Sequence, residues 1–466
     1  MPLSKTEHHQ NLEKDTLTLL REAVEILERG FAHLPENPPE TGITGQMDDI
    51  LKEAALRLHE NFPYFHPLYA GQMLKPPHPI ARLAYMLALW INPNNHALDG
   101  GKASSAMEKE AVADIAAMLG WQIHLGHLTG GGTMANLEAL WVAGRLSPGK
   151  TVLASDQAHY THQRISGVLG LPFESVSTDG RGRMDVARLE ESLKRGGIGT
   201  VVATIGTTAA GGVDPLGEIV ALRKRYGFRL HADAAYGGYF NLINTLSPET
   251  RKAFDALHEA DSIVIDPHKH GLQPYGCGCV LFRDPAVGQF YKHDSPYTYF
   301  SSKELHLGEI SLECSRPGAA AVALWATHRL LPLVKGGVFA GFLSDCRNAA
   351  LRLQRHILAD SRFIAGPEPE LDIVVWAFRG SSVSQGSNLA RAAFAEAAQR
   401  NLHLALAELP TRLFDIPKEM DGDKGTIVCL RSVLMKPEHD RWMERIWAIL
   451  DETAADVLRK ENPQKS

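Results

Sequence analysis

Between residues 150 and 283, short apolar runs recur at near-regular intervals: TVLAS, FESVS, TVVATIG, FRLHADAA, SIVID and CVLFR. Amphipathic stretches such as MDVARLEESLKRG and PLGEIVALRKRYG separate them, with apolar residues at helical spacing. Strands that alternate with helices build βα units, and such units predict an α/β fold around a large, mostly parallel sheet covered on both faces. Upstream, residues 1–95 read as a helical and extended segment, broken by PENPPETG and then by Pro- and Gly-punctuated chain from Pro63 to Gly101. SSAMEKEAVADIAAMLG has the capping-box spacing Ser105 to Glu108, an apolar face of Val112, Ile115, Ala116 and Leu119, and Gly120 as a stop. A long helix is predicted to start near Arg316 and to continue toward residue 360. DIVVWAF, SNLARAAFAEAAQRN, TIVCLRSVLM and a terminal helix then form a smaller α+β unit. The expected organisation is therefore 1–95 as an N-terminal segment, 96–335 as the large α/β domain and 336–466 as the small C-terminal α+β domain.

A chain of 466 residues can hold two or three domains. Its net charge of -6 argues against general affinity for nucleic acid, which needs a basic footprint. MPLSKTEHHQNLEKD has no apolar stretch of the signal-peptide kind, and IARLAYMLALWI is too short to span a bilayer and carries Arg82. Five scattered cysteines suggest a reducing compartment rather than a disulfide framework. Cys277 and Cys279 then read as small core residues of one strand face. The expectation is a cytoplasmic enzyme without membrane or nucleic-acid partners.

GRLSPGKT, residues 144–151, satisfies the phosphate-loop pattern GxxxxGK[ST], but its context is reversed. MANLEALWVAGRL before it is helical and TVLAS after it is a strand, so Lys150 belongs to a helix-to-strand turn. His124/His127 and His159/His162 have helical ligand spacing, yet HLGH contains a glycine and no carboxylate follows nearby. No metal is expected.

Three other features carry more chemistry. DSIVIDPHKHGLQPYGCGCVLFR ends an apolar strand in Lys269, flanked by His268 and His270. A desolvated lysine tends toward a neutral, nucleophilic amine. HLTGGGTMANLEAL sets Gly130 to Gly132 and Thr133 at a helix start, where backbone N–H groups can hold a phosphate, although a glycine-rich turn with a threonine cap has the same sequence. LHADAAYGGYF brings Asp233 to the C-terminal end of a strand, where open α/β sheets bind ligands. An amine for an aldehyde, an acid for a pyridinium and a helix end for a phosphate converge on pyridoxal 5'-phosphate.

The lysine segment resembles that of the group II pyridoxal-phosphate-dependent amino-acid decarboxylases, the family of aromatic-amino-acid, tyrosine and glutamate decarboxylases. TGGGTMANLEAL, SDQAHYTHQRISGVLG, ATIGTTAAGGVDPLGEI and HADAAYGGYF are similar to further signatures of that family, in the same order. The resemblance covers residues 60 to 330 well and the C-terminal part weakly. It implies an aspartate-aminotransferase-like, fold-type I architecture and a homodimer with the active site at the subunit boundary. It further implies that Lys269 condenses with the cofactor aldehyde, that Asp233 pairs the ring nitrogen, and that Ala235 and His159 cover the two ring faces. Gly132, Thr133 and His268 would hold the phosphate with Asp266 close by, and Thr208 would lie near the ring edge. A tyrosine on a mobile loop would protonate Cα, and DSPYTYFSSKE offers Tyr297 and Tyr299.

At the substrate end, FHPLYAGQM resembles a decarboxylase segment and makes Gln72 a candidate, although Tyr64, Phe65 and Tyr69 could equally line an aromatic pocket, and Met107 stands where many relatives carry threonine. CSRPGAAAVALWA is similar to a segment of sphingosine-phosphate lyase. Arg316 there could bind an anionic substrate group or the phosphate of the partner subunit's cofactor, or make a structural ion pair, and Arg431 is a weaker carboxylate-binding candidate. The expected function is decarboxylation of an L-amino acid. The alternatives are another carbon–carbon lyase or an aldehyde synthase on the same cofactor, and more distantly a nucleotide-binding or non-catalytic protein.

Overall fold

The computed structural model describes residues 7–35, 46–96, 98–292 and 311–461. N-terminal helices α1 (Glu7–Gly30), α2 (Met47–Leu58) and α3 (Pro79–Leu89) lead into α4 (Leu98–Met118). The large sheet then follows in βα order: β1 (Leu125–Thr129), α5 (Gly132–Leu146), β2 (Thr151–Ser155), α6 (Thr161–Leu169), β3 (Phe173–Val176), α7 (Val186–Arg195), β4 (Ile198–Thr204), α8 (Leu216–Tyr226), β5 (Arg229–Asp233), α9 (Pro248–Asp255), β6 (Ser262–Ile265) and β7 (Gly278–Phe282). Its spatial order is β1-β7-β6-β5-β4-β2-β3. Strands β2 to β6 pair in parallel, whereas β7 runs antiparallel to both β6 and β1. The reversal follows from chain length, since the link between β6 and β7 carries no crossover helix and the chain must turn straight back. Val201, Val202, Ile263, Val264 and Ile265 are wholly buried, as expected for strands covered on both faces.

All six strands expected from the apolar runs are present. Strand β1 (LGHLT) escaped the sequence reading because Gly126 and His127 interrupt its apolar pattern. The capping box at Ser105 and Glu108 is corrected. Helix α4 begins upstream at Leu98 with a break at Gly101, and both residues lie buried inside it. The long helix after Arg316 is also corrected. It is two helices, α10 (Gly318–Leu330) and α11 (Val338–Ala359), separated by Pro332 and by Gly336 with φ +71°. Proline cannot donate to a continuing helix, and positive φ ends it.

The C-terminal unit is a four-stranded antiparallel sheet, ordered β10-β11-β9-β8, built from β8 (Phe363–Ala365), β9 (Ile373–Phe378), β10 (Ala405–Pro410) and β11 (Thr426–Val433). Helices α12 (Val383–Gln399) and α13 (Glu438–Glu461) pack with α11 around buried Phe363, Trp376 and Phe378. Ser147, Pro148 and Gly149 form the turn from α5 to β2, and Lys150 is exposed there. Cys277 and Cys279 are buried free thiols.

Candidate active site

Strands β4, β5 and β6 are parallel, so their C-terminal ends share one edge of the sheet. A cavity of about 550 Å³ opens at that edge. The chain leaves β6 through a tight turn, in which the Lys269 N–H donates to the Asp266 carbonyl at 2.9 Å. This turn brings the Lys269 Nζ 3.1 Å from Asp266 Oδ2. Asp266 is buried, and its second oxygen, Oδ1, has no protein partner. A Cβ at Gly132 would lie 2.5 Å from Asp266 Oδ2, so glycine is required for the start of α5 to approach the lysine turn this closely. Gly131 caps α5 without a side chain, and Gly131, Gly132 and Thr133 all line the cavity. The uncapped first turn therefore presents N–H groups and the positive end of the helix dipole to the cavity.

Asp233, at the end of β5, is buried in the wall of the same cavity. Its Oδ2 accepts from His162 Nε2 at 2.8 Å and its Oδ1 accepts from the Ala235 N–H at 3.1 Å. Burial alone would raise its pKa. The hydrogen bond from His162 and the nearby charge of Lys269 outweigh that and hold the carboxyl far below its ordinary range. His159 follows β2, and its Nδ1 accepts from the Thr161 N–H at 3.3 Å, which leaves Nε2 to carry the proton. His268 Nδ1 donates to the Cys277 carbonyl at 2.9 Å. Burial lowers the pKa of both rings. The Thr133 and Thr161 hydroxyls lie 3.3 Å apart, and the Thr208 carbonyl accepts from Arg431 at 2.6 Å.

All nine cofactor candidates, Gly132, Thr133, His159, Thr208, Asp233, Ala235, Asp266, His268 and Lys269, line this one cavity. The substrate candidates are elsewhere. Gln72 is exposed and lies 3.5 Å from Arg431, and Met107 is half-buried on α4. Arg316 is buried and donates to Glu108 at 2.5 Å, to the Leu128 carbonyl at 2.8 Å and to the Asn95 carbonyl at 3.0 Å. Of its three sequence readings, this geometry is that of the ion pair. Arg431 likewise is committed to the Thr208, Ala209 and Gly71 carbonyls. Tyr297 and Tyr299 lie outside the described residues.

The Arg316 ion pair makes a stability prediction. Burial works against the Glu108 carboxylate, and Arg316, Asn95 and the Leu128 N–H overcome it to keep its pKa low. Arg316→Met would strand that charge and is expected to cost about 3–5 kcal/mol in denaturant unfolding. Adding Glu108→Gln should recover part of the loss. A single variant as stable as the wild type would remove the pair from any structural role.

Sequence reasoning missed His162, His231, Asn136, Thr204 and Glu313. His162 was visible only as a possible metal ligand at helical spacing from His159, and its ring turns instead to Asp233. His127 turns to Glu138, 2.7 Å away. Among the described residues, no group of three or more His, Cys, Asp or Glu could hold a metal. Thr204 Oγ1, at the end of β4, is a buried cavity-wall hydroxyl without a protein partner. Glu313 at the rim accepts from the Gly130 N–H at 2.9 Å.

The residues present fit pyridoxal phosphate. One cavity offers an amine for its aldehyde, an ionised carboxylate for its pyridine nitrogen and a glycine cradle with an open helix end for its phosphate, and the cavity is large enough to admit a small substrate as well. Fold and site together define an α/β, aspartate-aminotransferase-like enzyme of fold-type I that uses pyridoxal phosphate. Residues 141–379, more than half of the chain, match the pyridoxal-dependent decarboxylase conserved domain, and the chain belongs to that family, as a pyridoxal-phosphate-dependent carboxy-lyase. It is 27% identical to the L-tyrosine decarboxylase of Enterococcus faecium across 81% of this chain and 77% of that one. It is 30% identical to a probable L-tyrosine/L-aspartate decarboxylase of Methanothrix thermoacetophila, across 72% and 82% of the two chains. The crystal structure of Oryza sativa TDC with PLP and tryptamine shares its fold, with a TM-score of 0.76 at 19% identity over 98% of this chain and 99% of that one.

Proposed function

We propose that this chain decarboxylates an L-amino acid to the corresponding amine and CO₂. The observation that carries the reading is the meeting of the Lys269 amine, the ionised Asp233 carboxylate and the open first turn of α5 in one cavity. Bound pyridoxal phosphate supplies the electron sink for the pair left at Cα as CO₂ departs. Lys269 binds the aldehyde carbon, and Asp266 beside it keeps the amine in place. Asp233 holds a proton at the pyridine nitrogen, and a fixed counter-charge of this kind stabilises charge as it develops. His159 and Ala235 would cover the cofactor ring, Thr208 would lie near it, and Gly132, Thr133 and His268 would hold the phosphate; all six line the cavity. Tyr297 and Tyr299 are the candidates for returning a proton to Cα.

The same reading includes a homodimer with the active site at the subunit boundary. It is supported by exposed Ile50, Leu51, Leu56 and Leu58 on α2, a helix that buries no residue of its own. A cytoplasmic location is supported by the five free cysteines. Among the described residues, no helix is long and apolar enough to cross a membrane.

The test is a screen of the standard L-amino acids with cofactor-loaded protein, following amine and CO₂ together. Tyrosine and aspartate come first because the relatives named above act on them. Equimolar amine and CO₂ from one or a few amino acids is the expected result. Aldehyde formed with oxygen uptake would point to an aldehyde synthase, and turnover confined to phosphorylated amino alcohols to a carbon–carbon lyase. Colourless protein that binds ATP through Lys150 would overturn the reading altogether.

A further inference from the structure

Asp233 is held from behind by a histidine that does not line the cavity. His162, in the first turn of α6, is wholly buried, and its Nε2 lies 2.8 Å from Asp233 Oδ2. An ionised carboxylate only accepts, so Nε2 carries the proton and donates. The other ring nitrogen, Nδ1, is buried with no partner. A lone pair tolerates that position better than a second N–H would. Behind it, the ring of His231 stands 6.3 Å away at 70°, two residues before Asp233 on β5. His231 Nε2 donates to Asn136 Oδ1 at 2.8 Å, and its Nδ1 accepts from the Ser262 hydroxyl at 2.9 Å. Burial pushes the His231 pKa down to about 3, so this ring is a neutral spacer. The Ala235 N–H takes the remaining Asp233 oxygen, and the carboxylate is fixed from two sides.

We propose that His162 is a positioning residue for the reaction, which holds the Asp233 carboxylate in orientation and sets its strength as a counter-ion to the cofactor's ring nitrogen. The proposal rests on the decarboxylase reading above. Its alternative is that His162 merely fills space between α6 and β5. The two differ in what a leucine does there: it fills similar space but leaves Asp233 Oδ2 without its donor.

The experiment compares wild type, His162→Leu and His162→Gln, the last keeping an N–H donor. Pyridoxal phosphate is titrated into each apoprotein, the visible absorption of the loaded protein is recorded, and kcat and KM are measured. His162→Leu is expected to lower kcat about tenfold to a hundredfold, the scale of a lost hydrogen bond to a charged group. KM and cofactor affinity should change by less than about threefold, and the balance of cofactor absorption bands should shift. His162→Gln should recover most of kcat and the wild-type bands. Wild-type kcat and bands in His162→Leu would overturn the proposal, as would a loss of cofactor affinity with kcat intact at saturation. Should His162→Leu not fold, His162→Met against His162→Gln makes the same comparison. A wild type that releases no CO₂ would defeat the decarboxylase reading, while the band comparison would still decide the role of His162.

Discussion

Lys269→Ala is expected to lower turnover on the order of 10,000-fold, the scale seen when a covalent catalytic group is removed. The fold should survive. The lysine side chain is partly exposed, and its ion pair is to Asp266 alone. Truncation removes one charged partner of a buried carboxylate, so the expected cost is about 1–3 kcal/mol of stability. Borohydride reduction of the loaded wild type, followed by peptide mapping, should find the cofactor fixed at residue 269, and the variant should show no such label. Lys150→Ala is the contrasting control: this lysine lies in an exposed turn remote from the cavity and should turn over like the wild type. A label at another lysine, or an alanine variant within tenfold of wild type, would end the assignment of Lys269.

Why Lys269 could be found from sequence while His162 could not is a matter of range. Lys269, Asp233 and the glycine cradle each sit where an apolar run stops or a helix starts, and those punctuation points are local properties of the chain. Their convergence then needs only the rule that parallel strands end on one edge. The pairings that set the chemistry are long-range. His162 meets Asp233 across 71 positions, and Arg316 meets Glu108 across 208. Residue type alone left Arg316 divided between an anion site and an ion pair, because a guanidinium serves both equally well. Glu108 was misassigned for the same reason. Its spacing from Ser105 imitates a helix cap, and only the position of Arg316 reveals that it is a buried counter-charge. The strands were legible where apolar runs were unbroken and invisible at β1, where glycine and histidine mask a buried strand. The break between α10 and α11 was written in Pro332 and Gly336, but the apolar periodicity on either side obscured it.

Asp233→Asn is expected to retain pyridoxal phosphate yet lose turnover by about 100-fold or more, because a neutral amide cannot hold a cationic pyridine nitrogen as a carboxylate does. The geometry adds a second consequence. Asp233 accepts from two donors, His162 Nε2–H and the Ala235 N–H. Asparagine has one oxygen and one NH₂, so whichever way the amide turns, one donor meets another donor. About 1–3 kcal/mol of stability should be lost in consequence. The pH dependence of that loss has a definite sign. The Asp233 pKa is depressed in the folded protein, so its ionisation stabilises the fold above the unfolded carboxyl pKa of about 4. That contribution fades as pH falls through the folded pKa. The gap between wild type and Asp233→Asn should therefore be widest at neutral pH and should narrow below about pH 4, when both are followed as apoproteins in denaturant. Equal stability at neutral pH would contradict the hydrogen-bond geometry. Near-normal turnover would contradict the counter-ion itself, since the carboxylate charge is the property of Asp233 that the substitution removes while the side-chain shape is kept.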